Sequence, residues 1–258
     1  MKELANVTAK HFSDLTEAYA TSPGHARDGD LDLVMAFSSP GLYEFALDIA
    51  TGPGHTAFRL ASRAAMVIGL DIADGMLAKA RELARERELP NLSFQYGDAT
   101  ALPFGDKTFD LVTCRIAPHH FHDIPAFLSE VARVLKNNGR LVLEDSMAPE
   151  DPQAASFLHD LEQRRDPTHV RSLSHSQWLA ACDAAGLVVT RDIVFPKRHP
   201  FRQWLARSGF PADQVASLES DLLAASAPLQ EQFLEVEADK IVALKDDKLI
   251  LRADKPPE

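Results

Sequence analysis

Three short stretches hold the residues most capable of gripping a ligand: DIATGPGH (48–55), Asp71, and Gly97-Asp98-Ala99. Gly52 and Gly54 remove side chains where a ligand must lie against the backbone. The helix expected from His55 offers free N–H groups beside them. Asp71 has two oxygens with which to accept from two neighbouring hydroxyls, the pattern of a ribose. Asp98 can accept from an adenine amino group while the Ala99 backbone serves a ring nitrogen, and Ile72 and Met76 suit the ring faces. Each stretch suits a particular part of a nucleoside ligand, with Ala50, Thr51 and His55 of the same turn as further candidates to line the site. A second group, His119 and His120, has imidazoles suited to general base work near neutral pH. His122 and Asp123 follow closely, but three histidines in one short turn do not converge on a single ion. No HExxH spacing exists either, so no metal site is expected.

Such residues need a frame that gathers strand ends. From about residue 43 short apolar runs alternate with amphipathic helical patterns, the mark of βαβ units on a parallel sheet. Strands are expected at 45–50, 66–71, 92–96, 109–115 and 140–145, and a helix at 55–64. Another helix carries Met76, Leu77, Ala80 and Leu83 on one face. A third starts at the N-cap Asp123 with Pro125 in its first turn, buries Phe127, Leu128, Val131 and Leu135, and is expected to stop at Asn138-Gly139. Residues 1–37 read as helix and then loop. Helices at 153–164 and 175–185 precede a strand at 187–194, a polar helical stretch near 200–230, and one or two strands from Phe233 to Arg252 around KDDK (245–248). In an open parallel sheet, ligands bind at the carboxyl ends of strands near the point where strand order reverses, and the three stretches fall at such ends.

The 258 residues, 45% hydrophobic and 25% charged, suit one α/β domain with additions. A net charge of −11 repels phosphate backbones and anionic membranes, so nucleic acid is not an expected partner. No run approaches the roughly 20 apolar residues of a membrane span. MKELANVTAKHF lacks the apolar core of a secretory signal, so a cytoplasmic location is expected. Cys114 and Cys182 are too few and too far apart for a disulfide framework, and Cys114 in FDLVTC reads as core. Asp28, Asp30 and Asp32 imitate the start of a calcium loop. Leu33 and Ser39 stand where its glycine and glutamate belong, so a polar loop is expected. In the basic stretch FPKRHPFRQWLAR (195–207), Lys197, Arg198, Arg202 and Arg207 suit either an anionic substrate or a solvated helix face.

DIATGPGH, GLDIADGML, YGDATALPFGDKTFDLVTCR and EVARVLKNNGRLVLED together resemble the successive motifs of class I S-adenosylmethionine-dependent methyltransferases. They are most similar to the branch that includes ubiquinone/menaquinone C-methyltransferases. The resemblance is dense over 43–147, and RDPTHVR (165–171) is similar to a subgroup of that branch. It implies a Rossmann-like, doubly wound α/β fold with a mostly parallel seven-stranded sheet, its last strand antiparallel, plus a helical lid and cap. Residues 38–150 and 186–253 would form the core of a single domain, 1–37 an N-terminal lid, and 151–185 with 195–230 the cap.

The resemblance also implies S-adenosylmethionine as cofactor and S-adenosylhomocysteine as product. Asp48, Gly52 and Gly54 would shape the turn around the methionine part, Asp71 would hold the ribose, Asp98 and Ala99 the adenine, and Arg115 would line the methionine or substrate side. Tyr19, Ser22 and His25 in AYATSPGH resemble a lid over the cofactor. Ala50 replaces the usual first glycine, and Asn137-Asn138 the usual Pro-Gly. Some small-molecule methyltransferases place a histidine where His120 stands and pair it with an N-terminal tyrosine, here Tyr19; His119 is the second candidate base. The alternative is that both histidines cap the next helix or pack beneath the lid.

The expected function is methyl transfer to a small-molecule acceptor that these residues do not identify. Two other readings stay open. Gly52, Gly54 and Ala57 also fit a dinucleotide fingerprint with Asp71 downstream, the pattern of an NAD(P)-dependent oxidoreductase. GDA followed by LPF (102–104) and a late antiparallel strand do not belong to that pattern. A non-catalytic S-adenosylmethionine-binding protein is the third reading.

Overall fold

The computed structural model describes residues 2–21 and 29–257, and side chains from residue 6 onward. Its frame is one sheet built from β1 (Phe45–Ile49), β2 (Met66–Asp71), β3 (Leu92–Tyr96), β4 (Phe109–Arg115), β5 (Leu135–Met147), β6 (Val188–Pro200), β7 (Leu234–Glu237) and β8 (Lys240–Asp254). The main path runs β3-β2-β1-β4-β5-β8-β6, with β7 paired only to β8. Pairs among β1 to β5 are parallel, and β8 is antiparallel to β5 and β6. The expected seven strands are the main path. β7 is an eighth, which pairs with β8 beyond the point where β5 ends at Met147.

Strand alternation sorts apolar side chains into two layers. Ala46, Val67, Leu111, Val142 and Ile250 pack with Val34 and Phe37 of α3 (Gly29–Ser38) and Ala57 and Leu60 of α4 (His55–Ala61). Their neighbours Leu47, Val112, Leu143 and Leu251 pack with Phe127 and Val131 of α6 (Ile124–Val134) and Trp178 and Cys182 of α8 (His175–Ala184). A fully buried side chain of this size contributes about 1.5–3 kcal/mol, so the layers set the positions of the strand ends firmly. α5 (Asp74–Glu86) buries Met76, Leu77 and Ala80 as its periodicity predicts.

Several expectations are corrected. Among the described residues of the expected lid 1–37, α1 (Lys2–Asp14) and α2 (Thr16–Ala20) contribute to the cleft wall, whereas α3 is a core helix with Leu31, Val34 and Phe37 buried. Asp30 and Asp32 therefore occupy the first turn of a helix, where carboxylates are favoured by its dipole, rather than a polar loop. Asp28 lies outside the described residues. α6 begins as expected, with Asp123 Oδ1 accepting from Ala126 N at 2.8 Å, but it ends at Val134. Leu135 already pairs with Phe109, and the register shift that follows leaves Asn138 left-handed (φ 62) within β5. KDDK lies inside β8; the turn is Ala238-Asp239, both at positive φ, as a two-residue hairpin requires.

The expected cap also divides. α8 joins the core layer, whereas α7 (Pro152–Arg165), α9 (Phe201–Arg207), α10 (Val215–Leu223) and α11 (Ala227–Phe233) enclose a separate core around Leu158, Trp204, Leu218 and Phe233. In the basic stretch Lys197 pairs with Asp30 and Arg198 with Glu235, while the Arg202 side chain is 65% exposed. No helix among the described residues is long and apolar enough to cross a membrane.

Candidate active site

A cleft of about 1260 Å³, open mouth included, spans the carboxyl ends of β1, β2 and β4, beside the point where strand order reverses between β1 and β4. Of the residues expected to form a site, it brings together Tyr19, Asp48, Ala50, Thr51, Gly52, His55, Asp71, Ile72, Met76, Asp98, Ala99, Arg115 and His120. Gly54 and His119 are not among its lining residues. Gly54 caps α4 at φ 96, and a Cβ there would meet the Phe58 ring at 2.6 Å, so its role is to admit that ring. Ser22 and His25 lie outside the described residues. The cap does not line the cleft as expected, because its helices bury their apolar faces against one another. Lys197, Arg198, Arg202 and Arg207 are likewise absent from the lining.

One half of the cleft is tied together by carboxylates. Asp48, 1% exposed, accepts from Thr51 Oγ1 at 2.6 Å and from Thr113 Oγ1 at 2.7 Å, fastening the glycine turn to β4. Burial pushes its carboxyl up to about 6, against the pull of these two hydroxyls. Asp71 accepts from Gly52 N (2.8 Å) and Ala73 N (2.9 Å), one bond to each oxygen, and burial raises its carboxyl too. Each oxygen keeps a second acceptor site, so two further hydroxyls can still be bound. Asp98 Oδ1 holds Thr100 N and Oγ1, both at 2.8 Å. Ala50 (φ 52) and Gly52 (φ 53) are both left-handed, which explains why glycine suits the position Ala50 holds. A Cβ built on Gly52 meets no atom within 4 Å: the space over this backbone is open to a ligand. Arg115 Nε donates to Thr56 Oγ1 at 3.1 Å, and Nη1 lies 3.6 Å from Glu144, whose carboxyl burial pushes up to about 7.

The other half is aromatic and basic. Phe12 of α1 packs edge-on against both Tyr19 and His120, at ring separations of 5.6 and 4.9 Å. Burial pushes the Tyr19 phenol up to about 12, so it is a neutral donor at physiological pH. α1 and α2 are anchored across the cleft: Gly75 N donates to Ser13 Oγ (3.3 Å), Lys79 pairs with Glu17 (3.0 Å), and the His55 Nε2–H donates to the Tyr19 carbonyl (3.4 Å). His120 is neutral near pH 7, because burial, and then His119, push its imidazole down to about 3. His119 instead points inward to Asp145, 2.5 Å from Nδ1 to Oδ1. Burial lowers His119 to about 3 and raises Asp145 to about 7, so burial disfavours the charged form of both. Among the described residues, no cluster of three or more His, Cys, Asp or Glu side chains is arranged to hold a metal ion. Sequence reasoning missed Phe12 and Thr8 of this wall; their one-turn spacing on α1 was the available signal. It also missed Asp166 and Thr168, for which nothing local pointed to His120.

Residues 47–143 match a family described as a methyltransferase domain. The uncharacterized methyltransferase YcgJ of Bacillus subtilis is 37% identical over 222 residues, which is 86% of this chain and 88% of that protein. A crystal structure of Bacillus subtilis YcgJ superposes with a TM-score of 0.83, covering 89% of this chain and 99% of that one at 33% identity. Demethylmenaquinone methyltransferase of Deinococcus radiodurans is 42% identical over 105 residues, 40% of this chain and 43% of that enzyme.

Proposed function

From the premise that the chain belongs to the methyltransferase-domain family and is a methyltransferase, we propose that the cleft binds S-adenosylmethionine across the ends of β1, β2 and β3 and a small acceptor beside His120. The observation that carries this reading is Asp71: one buried carboxylate, held by Gly52 N and Ala73 N, faces an open space above a left-handed glycine. The residues fit the donor. Asp71 takes the ribose hydroxyls, Asp98 and the Ala99 backbone the adenine, Ile72 and Met76 its faces, and the Ala50–Gly52 turn the methionine end.

The donor supplies a methyl group already activated by its sulfonium, so the protein's task is alignment, water exclusion and removal of a proton where the acceptor carries one. Alignment of this kind is worth roughly 7–11 kcal/mol in favourable cases. Phe12 and Phe121 wall the acceptor side, Tyr19 offers a neutral hydroxyl, and His120 offers a neutral imidazole as base. The charged residues of 195–207 lie outside the lining, which favours an acceptor with an apolar body over a polyanion.

Calorimetric titration with S-adenosylmethionine, S-adenosylhomocysteine and NAD, on the wild type and on Asp71→Ala, tests the donor site. Micromolar binding of both adenosyl ligands, lost in the variant, supports it; binding of NAD alone refutes it. Methyl transfer to a panel of phenols, amines and carbon acids then tests His120: full turnover by His120→Ala at saturating acceptor removes it from the mechanism.

A further inference from the structure

The two ring nitrogens of His120 meet different surroundings. Nδ1 lies 3.0 Å from the Thr168 carbonyl oxygen and 3.2 Å from Thr168 Oγ1. Nε2 has no partner among the described residues, and the ring borders the cleft. A carbonyl oxygen can only accept. Thr168 Oγ1 has a single proton, which it donates to Asp166 Oδ1 at 2.6 Å, so toward His120 it too is an acceptor. The same Asp166 oxygen takes the Thr168 N–H at 2.9 Å. Nδ1 must then carry the proton, and in a neutral ring Nε2 is left with its lone pair.

Asp166 is well placed to impose this outcome without touching a ligand. It is 1% exposed and absent from the cleft lining. Burial opposes its ionisation, yet the His120 ring where acid protonates it, and the two Thr168 bonds, outweigh that and hold its carboxyl below the usual range. The turn it organises is fastened to the histidine pair a second time, because Val170 N and Arg171 N donate to the His119 carbonyl at 2.9 and 3.0 Å. His11 Nε2, 3.6 Å from Asp166 Oδ1, closes the group from the lid side. Burial keeps His120 uncharged, so the tautomer, and not only the charge, decides what Nε2 can do.

We propose that Asp166 is a positioning residue: through Thr168 it holds His120 as the Nδ1-protonated tautomer, so that Nε2 takes a proton from an acceptor whose methylated atom bears one, a hydroxyl, an amine or an acidic carbon. This rests on the methyl-transfer reading of the cleft. The acceptor's proton passes to the Nε2 lone pair, while the electron pair it leaves behind forms the bond to the methyl carbon. The pair of the broken carbon–sulfur bond departs with sulfur. The imidazolium then returns the proton to water.

The test is a long-range ¹H–¹⁵N imidazole correlation spectrum of the full-length labelled protein near pH 7.5, with His120 assigned by its loss in His120→Gln. The wild type should show a pyrrole-like Nδ1 and an unprotonated Nε2. Asp166→Asn keeps an oxygen able to accept both Thr168 bonds while losing the charge, and should preserve that pattern. Asp166→Glu keeps the charge but displaces the carboxylate, and Asp166→Ala removes it. Both should raise the Nε2-protonated form roughly three- to tenfold, the worth of about one hydrogen bond. A wild-type Nε2–H tautomer, or Asp166→Glu and Asp166→Ala spectra like the wild type, overturns the proposal. Should Asp166→Ala fail to fold, the Asn and Glu variants decide it. S-adenosylhomocysteine binding is measured on the same samples. Its absence in the wild type refutes the cofactor reading, whereas an unmoved tautomer beside intact binding refutes only the role of Asp166.

Discussion

The two halves of the cleft are built on opposite plans. On the donor side Asp48, Asp71 and Asp98 each bind donors from the adjoining turn or strand, so the polar groups that would meet a cofactor are held before it arrives. Behind the acceptor side, in the layer that backs His119 and His120, buried polar atoms lack partners: both ring nitrogens of His169, Nδ1 of His159, Nε2 of His11 and Oδ2 of Asp145. Unsatisfied buried groups cost about 1–3 kcal/mol each. The donor half is thus pre-shaped around three satisfied carboxylates, and only Glu144, behind Arg115, has both oxygens without a hydrogen bond among the described residues there. The acceptor half concentrates titratable groups whose neutrality depends on being dry.

Asp71→Ala should have the largest effect. Losing two charge-assisted bonds to a ribose, at roughly 1.5–3 kcal/mol each, predicts at least about a 100-fold loss of S-adenosylhomocysteine affinity by calorimetry. His120→Gln should leave that affinity within about twofold, and equal losses from the two variants would erase the distinction between the halves.

The second effect is acid sensitivity. Burial pushes His169 down to about 2, with His119 and His120 adding to it. Its ordinary value is about 6.5, so below that pH the unfolded chain binds a proton that the folded chain refuses. The stability this group contributes is present above about pH 6.5 and is lost as pH falls. Asp48, raised to about 6, works in the opposite sense. His169→Asn should therefore lose about 2 kcal/mol less than the wild type between pH 7 and pH 4.5 in denaturant titrations. Parallel pH profiles would show that the layer behind the acceptor half is not where acid acts.

Smaller changes divide the donor half itself. Gly52→Ala should weaken S-adenosylhomocysteine binding roughly tenfold, because a left-handed alanine costs about 1–2 kcal/mol and its Cβ enters the open space. Ala50→Gly relieves the same strain and should raise the melting temperature by up to about 4 °C. Arg202→Glu, on the solvent side of the cap, should change neither stability by more than about 0.5 kcal/mol nor ligand affinity. A change in affinity there would bring the cap into the site after all.

The legible part of the molecule is the part whose partners are neighbours in the chain. Strand, glycine turn and helix follow one another from Phe45 to Ala61, and apolar alternation forces Asp48 and the turn to the strand's end. Asp71 and Asp98 follow the same local logic at the ends of β2 and β3. Where local signals competed with pairing, they lost: Asn138-Gly139 has the composition of a helix stop, but Leu135 already pairs with Phe109 and the helix ends one residue earlier. Likewise KDDK looks like a turn, yet β6 and β5 on either side of β8 keep it extended.

Residue order alone thus determined a sheet with an acid- and glycine-lined cleft at its strand ends, since strand alternation and turn chemistry act over a few residues. Only the tertiary structure decided which histidine faces the cleft and which is buried on Asp145. It also decided that Phe12 stands between Tyr19 and His120, and that Thr168, 48 residues from His120, sets the proton on its ring. Hydrogen-bond partners brought together by packing leave no spacing to read, because the layers of side chains between them, not the chain, fix their distance.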